Sequence, residues 1–132
     1  MLIASWRKED ENLAAIVGYI NDDVCRILNY TPQNDRNIYL GKTNITHITS
    51  KHPGVYEKYQ NRIPDILDSP DYIKINNNDL SIEYIKSFDN DIKIAVRLSG
   101  DGMYYMKSMY IVSKKRNEMM IRSGELKRFY RK

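Results

Sequence analysis

The chain contains two histidines, His47 and His52, both within Thr46-His47-Ile48-Thr49-Ser50-Lys51-His52-Pro53. Histidine is the side chain best suited to give and take protons near neutral pH. Two positioned imidazoles can divide acid and base roles in phosphodiester cleavage with no metal. A zinc site is the first rival. Helical metal pairs use i, i+4 spacing, whereas a spacing of five rotates the second ring by about 140° on an ideal helix. No cysteine cluster or further histidine completes a coordination shell, so metal ligation is not expected. The plainer alternative is a pair of surface histidines that merely cap a helix–loop segment.

Other candidates fall late in the chain. Arg97 alternates against the apolar row Ile94, Val96 and Leu98, so it lies off the main core. A guanidinium or ammonium near a scissile phosphate would stabilise the transition state, which brings in Lys107 as well. Lys107 and Ser108 are neighbours on a strand and project to opposite faces unless a bulge intervenes. A solvated strand position or a core hydroxyl is the ordinary explanation of each. Tyr104, Tyr105 and Tyr110 accompany these cations, and aromatics beside cations can stack on RNA bases. Tyrosine also fits a half-buried sheet, which suits most of the 11 in this chain. The late methionines read as adaptable core. Glycine-rich phosphate loops, nucleophile elbows and EF-hand loops are not found.

The elements that must position these residues follow from patterning. Leu13 to Ile20 reads as a strand, Asn21-Asp22-Asp23 as a turn, and Val24 to Tyr30 as the returning strand of a hairpin. Ile38-Tyr39-Leu40 is a short strand ended by Gly41. Thr43, Asn44 and Thr46 offer N-caps for a helix through about Lys51. A second helix is expected from Pro53 to about Leu67, kinked or broken at Pro64. His52 would then sit at that helix's N-terminal end, where free N–H groups attract phosphate and disfavour imidazolium. That would make His52 the base and His47 the acid. Tyr72 to Asn76, Ser81 to Ser87, Ile92 to Ser99 and Met103 to Ser113 are strands, the last two joined by Gly100-Asp101-Gly102. Lys114 to Ser123 reads as a helix stopped by Gly124. The expected class is α+β, an N-terminal hairpin and helices packed on a four-stranded antiparallel sheet.

Length and charge bound the rest. At 132 residues one domain is expected over 1–132, with 1–12 and 127–132 as loose ends. The apolar runs are too short to span a membrane, and Met1 to Ala4 is too short for a signal-peptide core. The single Cys25 fits a reducing, cytoplasmic setting. Residues 103–132 hold nine Lys/Arg against Glu118 and Glu125, while the preceding residues are slightly acidic, for a total of +4. A basic end on a near-neutral body fits a polyanion partner, or else a solvated tail that aids solubility.

One further pattern is visible. Ile38-Tyr39-Leu40-Gly41-Lys42-Thr43-Asn44-Ile45-Thr46-His47-Ile48 is followed by Lys51-His52-Pro53. Ile63-Pro64-Asp65-Ile66-Leu67, Ser69-Pro70-Asp71-Tyr72-Ile73, Ile94-Ala95-Val96-Arg97-Leu98-Ser99 and Tyr105-Met106-Lys107-Ser108-Met109-Tyr110 come next, in order. The set, over about residues 14–126, resembles the phage-associated branch of the barnase/EndoU/colicin/RelE-like (BECR-fold) nuclease superfamily. The resemblance implies a small ribonuclease, stand-alone, toxin-tip or phage-encoded, that works without cofactor or metal. It implies His47, His52, Lys107 and Ser108 as catalytic residues, with Lys107-Ser108 where the pattern more often has Arg-Thr. Arg97, Lys42 and Tyr110 would be substrate contacts. RNA, with tRNA as one candidate, is the implied partner, and an immunity or antitoxin protein a possible second. A non-catalytic RNA- or protein-binding module that keeps the fold is the alternative.

Overall fold

The computed structural model describes the backbone of residues 3–5 and all of residues 14–132. In chain order the elements are β1 (Ile3–Ser5), β2 (Ala14–Tyr19), α1 (Asp22–Leu28), β3 (Asn37–Leu40), α2 (Lys42–Lys51) and α3 (Val55–Tyr59). A 3₁₀ turn (Gln60–Arg62) leads into α4 (Ile63–Asp68), then β4 (Tyr72–Ile75), β5 (Ile82–Ser87), β6 (Asp91–Leu98), β7 (Tyr104–Val112), α5 (Lys114–Ser123) and β8 (Lys127–Arg128).

Among the described residues, one sheet of eight strands runs in the order β1-β2-β3-β7-β6-β5-β4-β8. The four strands expected from alternation are present as β4 to β7, within a residue or so of their expected bounds, and they pair antiparallel. The expectation that they form the whole sheet is wrong. β3 joins β7 in parallel through Ile38↔Tyr104 and Tyr39↔Tyr105, so the sheet is mixed. A parallel pairing between segments more than 60 residues apart leaves no local sequence signal.

The expected N-terminal hairpin is also wrong. Ala14–Tyr19 is a strand, and Leu13 lies outside the described residues. Val24 to Tyr30 is not its return, because Asp22–Leu28 is helix. Asn21 Oδ1 accepts from the Val24 N–H at 2.9 Å, and Asp22 and Asp23 fill the first turn, where the helix dipole favours carboxylates. Asn29 ends the helix in the left-handed region. The tripeptide read as a turn is therefore a helix start, and β2 pairs with β1 and β3 instead.

The ends are less free than expected. Ile3–Ser5 pairs with β2, and the other residues of 1–12 lie outside those described. Lys127–Arg128 pairs with β4, the Phe129 N–H donates to the Asp71 carbonyl at 3.0 Å, and Arg131 binds Asp68 at 2.7 Å.

The core lies on one side of the sheet. Val17, Ile38, Leu40, Ile73, Ile82, Tyr84, Ile92, Ile94, Val96, Tyr104, Met106 and Met109 supply its floor. Val24 of α1, Ile48 of α2, Tyr59 of α3 and Ile63, Ile66 and Leu67 of α4 close over it. On the other side α5 seats Met120 against Ile85 and Leu126. No helix among the described residues is long and apolar enough to cross a membrane.

A Cβ added at Gly18 on β2 would lie 2.7 Å from Leu67 Cδ1 and 3.0 Å from Leu67 Cβ. Leu67 is fully buried and cannot swing aside. Gly18→Ala is expected to cost about 1–3 kcal/mol, the usual range for overpacking. Urea unfolding measures it, and an unchanged midpoint would contradict the close approach.

Candidate active site

β3 reaches only as far as Tyr105 along β7, and α2 packs against the following stretch of that strand. Local chemistry starts α2 at Gly41, whose N–H donates to Asn44 Oδ1 at 2.9 Å. Asn44 thus caps from within the first turn. Thr46 and Thr49 turn their hydroxyls back onto the Lys42 and Ile45 carbonyls. Ile48 is fully buried and fixes the rotation of the helix. Thr43, Asn44 and His47, three and four residues apart, then share a face. That face closes a cavity of about 510 Å³ whose other walls include Arg97, Ser99, Tyr105 and Lys107.

The strand side of this cavity depends on a bulge. Ala95 opposes Ser108 and Val96 opposes Met106, which leaves Lys107 as the extra residue of β7. Met106 and Met109 both point into the core, so Lys107 and Ser108 both fall on the other side. This is the one circumstance in which these neighbours share a face. Ser108, half-buried, does not line the cavity, and neither do His52, Tyr110 or Lys42, the last exposed at the start of α2.

His52 is not where the sequence places it. The helix expected from Pro53 begins at Val55, because Gly54 takes the left-handed conformation (φ +85°) and turns the chain. It then breaks at the 3₁₀ turn, with Pro64 in the first turn of α4, where a missing N–H costs nothing. His52 is instead the C-terminal cap of α2, its N–H donating to the Ile48 carbonyl at 2.9 Å. The helix-dipole basis for making His52 the base therefore has no counterpart in the fold. Its ring stacks on Tyr110, with centroids 4.7 Å apart and planes inclined by 20°. Tyr110 lies on the same side of β7 as Lys107, with Lys93 Nζ 5.5 Å from its ring centroid.

Two carboxylate partners of these cations, Glu83 and Asp79, went unnoticed in the sequence. Lys93 Nζ lies 3.1 Å from Glu83 Oε1, and both side chains are under a tenth exposed. Asn76 Nδ2 donates to the other Glu83 oxygen at 3.1 Å. Asp79, in the β4–β5 turn, binds the Lys107 ammonium through Oδ2 and the Ser81 N–H and hydroxyl through Oδ1. The Lys107 ammonium, assisted by Ser81, holds the Asp79 carboxyl well below the usual carboxylate range despite partial burial. Arg97 is exposed and has no ion-pair partner among the described residues. Among the described residues it is thus the cavity's unpaired positive charge. No three His, Cys, Asp or Glu side chains gather as metal ligands among the described residues.

The Asp79–Lys107 pair carries a pH signature. A carboxyl with a depressed folded pKa contributes stability above its unfolded value, near 4, and loses it as pH falls toward the folded value. Lys107 is 39% exposed, so the contribution is discounted to about 1 kcal/mol. Asp79→Asn should lower the unfolding midpoint at pH 7, and the gap to wild type should narrow below about pH 4. A gap that is constant from pH 7 downward would contradict the pair.

The cavity thus joins one histidine of α2 to two strand cations, Arg97 and Lys107. Residues 15–119 match the family described as phage-Barnase-EndoU-ColicinE5/D-RelE like nuclease3, and the chain belongs to that family. No curated protein and no solved structure matches it. The family is one of nucleases, which agrees with the resemblance in the sequence.

Proposed function

We propose that the chain is an endoribonuclease that needs no metal and uses the ribose 2′-hydroxyl as its nucleophile. The 2′-oxygen attacks the adjacent phosphorus, the P–O5′ bond breaks, and the products carry a 2′,3′-cyclic phosphate and a 5′-hydroxyl. One group must take the 2′ proton and another must protonate the departing 5′-oxygen. His47 and His52 are the pair. Arg97 binds a non-bridging oxygen and stabilises the charge that develops there, and Lys107 contributes from a position set by Asp79. Ser108 and Tyr110 flank the same side of β7 and would orient the strand. The observation that carries this reading is the meeting of His47, Arg97 and Lys107 around one cavity.

The test is incubation of purified protein with total RNA and tRNA in EDTA, followed by end-group analysis. Cleavage leaving cyclic phosphate ends, lost in His47→Ala and His52→Ala, supports the reading. The pH–rate profiles of the two variants should each lose a different limb; identical profiles contradict a divided acid–base pair. RNA binding without cleavage in the wild type would make the chain a binding module.

A further inference from the structure

Among the described residues, several cations on the body of the protein are neutralised in place. Arg26 pairs with Asp23, Arg36 with Asp22, Lys58 with Asp89, Lys93 with Glu83, Lys107 with Asp79 and Arg131 with Asp68. On α5 and β8, Lys114 binds Asp91 but five other cations stand together without such a partner. Lys115, Arg116, Arg122, Lys127 and Arg128 are exposed and make no ion pair among the described residues. Glu125 is drawn off toward Lys74 at 3.5 Å, which leaves Glu118 as the nearby counter-charge.

The helix that carries these cations is firmly fixed. Ser113 Oγ accepts from the Arg116 N–H at 3.1 Å, and Gly124 closes the other end in the left-handed region. Asn117, buried, donates to Asp91 at 2.9 Å, and Lys114 binds the same carboxylate at 2.7 Å. With Asn117 and Met120 inward, Lys115, Met119 and Arg122 recur at i, i+4 and i+7 and form one outward line. α5 covers the same side of the sheet that carries Lys93, Arg97 and Lys107. Three strand spacings separate β6, which bears Arg97, from β8, which bears Lys127 and Arg128, or about 14 Å.

We propose that the outward face of α5, with β8, is a second RNA-binding surface that holds the phosphate backbone beyond the cleaved nucleotide. This rests on the ribonuclease reading above and narrows its substrate to an RNA long enough to reach from the cavity across α5. Cations with no protein partner exchange bound counterions for phosphates, which gives sequence-independent grip. Short oligonucleotides would fill the cavity and leave this surface bare.

The test combines Lys115→Gln, Arg116→Gln and Arg122→Gln, three exposed positions away from the cavity. Binding of a labelled single-stranded RNA of roughly two dozen nucleotides is followed by fluorescence anisotropy, in EDTA, from about 0.05 to 0.2 M salt. The slope of log affinity against log salt should flatten by about 2, and low-salt affinity should fall roughly tenfold. Cleavage of a dinucleotide should equal that of the wild type. Unchanged affinity and slope overturn the proposal, as does an equal loss on the dinucleotide, which would place the effect in the cavity. Lys127→Gln with Arg128→Gln is the second variant, with a smaller flattening expected, and thermal midpoints confirm that both variants fold. A wild type that binds the long RNA with the expected slope but cuts nothing would sustain this surface and defeat the ribonuclease reading.

Discussion

His47→Ala is expected to slow RNA cleavage by about 10²–10⁴-fold, the usual contribution of a positioned acid or base. Stability should hardly change. His47 is exposed on α2, where substitutions away from special contacts stay within about 0.5 kcal/mol. His52→Ala should behave differently, because its ring stacks on Tyr110 and removing it deletes a contact worth about 0.5–1.5 kcal/mol. The pair of variants thus separates chemistry from packing. His47→Ala should lower kcat with an unmoved Tm, whereas His52→Ala should lower both. An active His47→Ala protein would remove His47 from the mechanism outright.

Lys93→Met carries the largest expected effect on stability. The ammonium and the Glu83 carboxylate lie together beneath the cleft side of the sheet, each almost out of solvent. Removing one charge strands the other, which typically costs about 3–5 kcal/mol. Replacing both at once, Glu83→Leu with Lys93→Met, should restore most of that loss, because a well-packed apolar pair is often as stable as a buried ion pair. Urea unfolding of the two singles and the double closes the cycle. A single variant that costs under about 1 kcal/mol would show that the two charges are not buried against each other. Lys93 also touches the Tyr110 ring, so a loss of activity in the refolded double variant would trace to the seat of His52 rather than to stability.

The parts of the fold written in local sequence were readable. Ile92, Ile94 and Val96 alternate with Lys93, Ala95 and Arg97, and β6 follows. Gly124 stops α5 in the left-handed region, and the helix ends where that glycine says. α1 was misread because Asn21-Asp22-Asp23 serves equally as a hairpin turn and as a helix cap with an acidic first turn. Val24, Ile27 and Leu28 are apolar under either assignment. The preference for helix comes from the burial of Val24 against the core, which is a tertiary fact. The β3–β7 pairing is likewise invisible locally.

The site divides along the same line. Arg97 and Lys107 stood out as cations on apolar strands, and His47 as one of two histidines. Their partners did not stand out. Asp79 sits in an Asn-Asn-Asn-Asp run that reads as turn chemistry and nothing more. Its meeting with a lysine 28 positions later needs the bulge at Lys107. Glu83 and Lys93 each look like the solvent side of a half-buried strand. Only their opposite signs on what become adjacent antiparallel strands hinted at a pair.

The most direct test of the central claim uses a DNA oligonucleotide carrying a single ribonucleotide, incubated with the protein in EDTA. The account predicts one cut, immediately 3′ of the ribonucleotide, with a cyclic phosphate on the upstream fragment and an intact all-deoxy control. Cleavage of the all-deoxy strand, or a cut whose upstream end never carries the cyclic phosphate, would show that the 2′-hydroxyl is not the nucleophile.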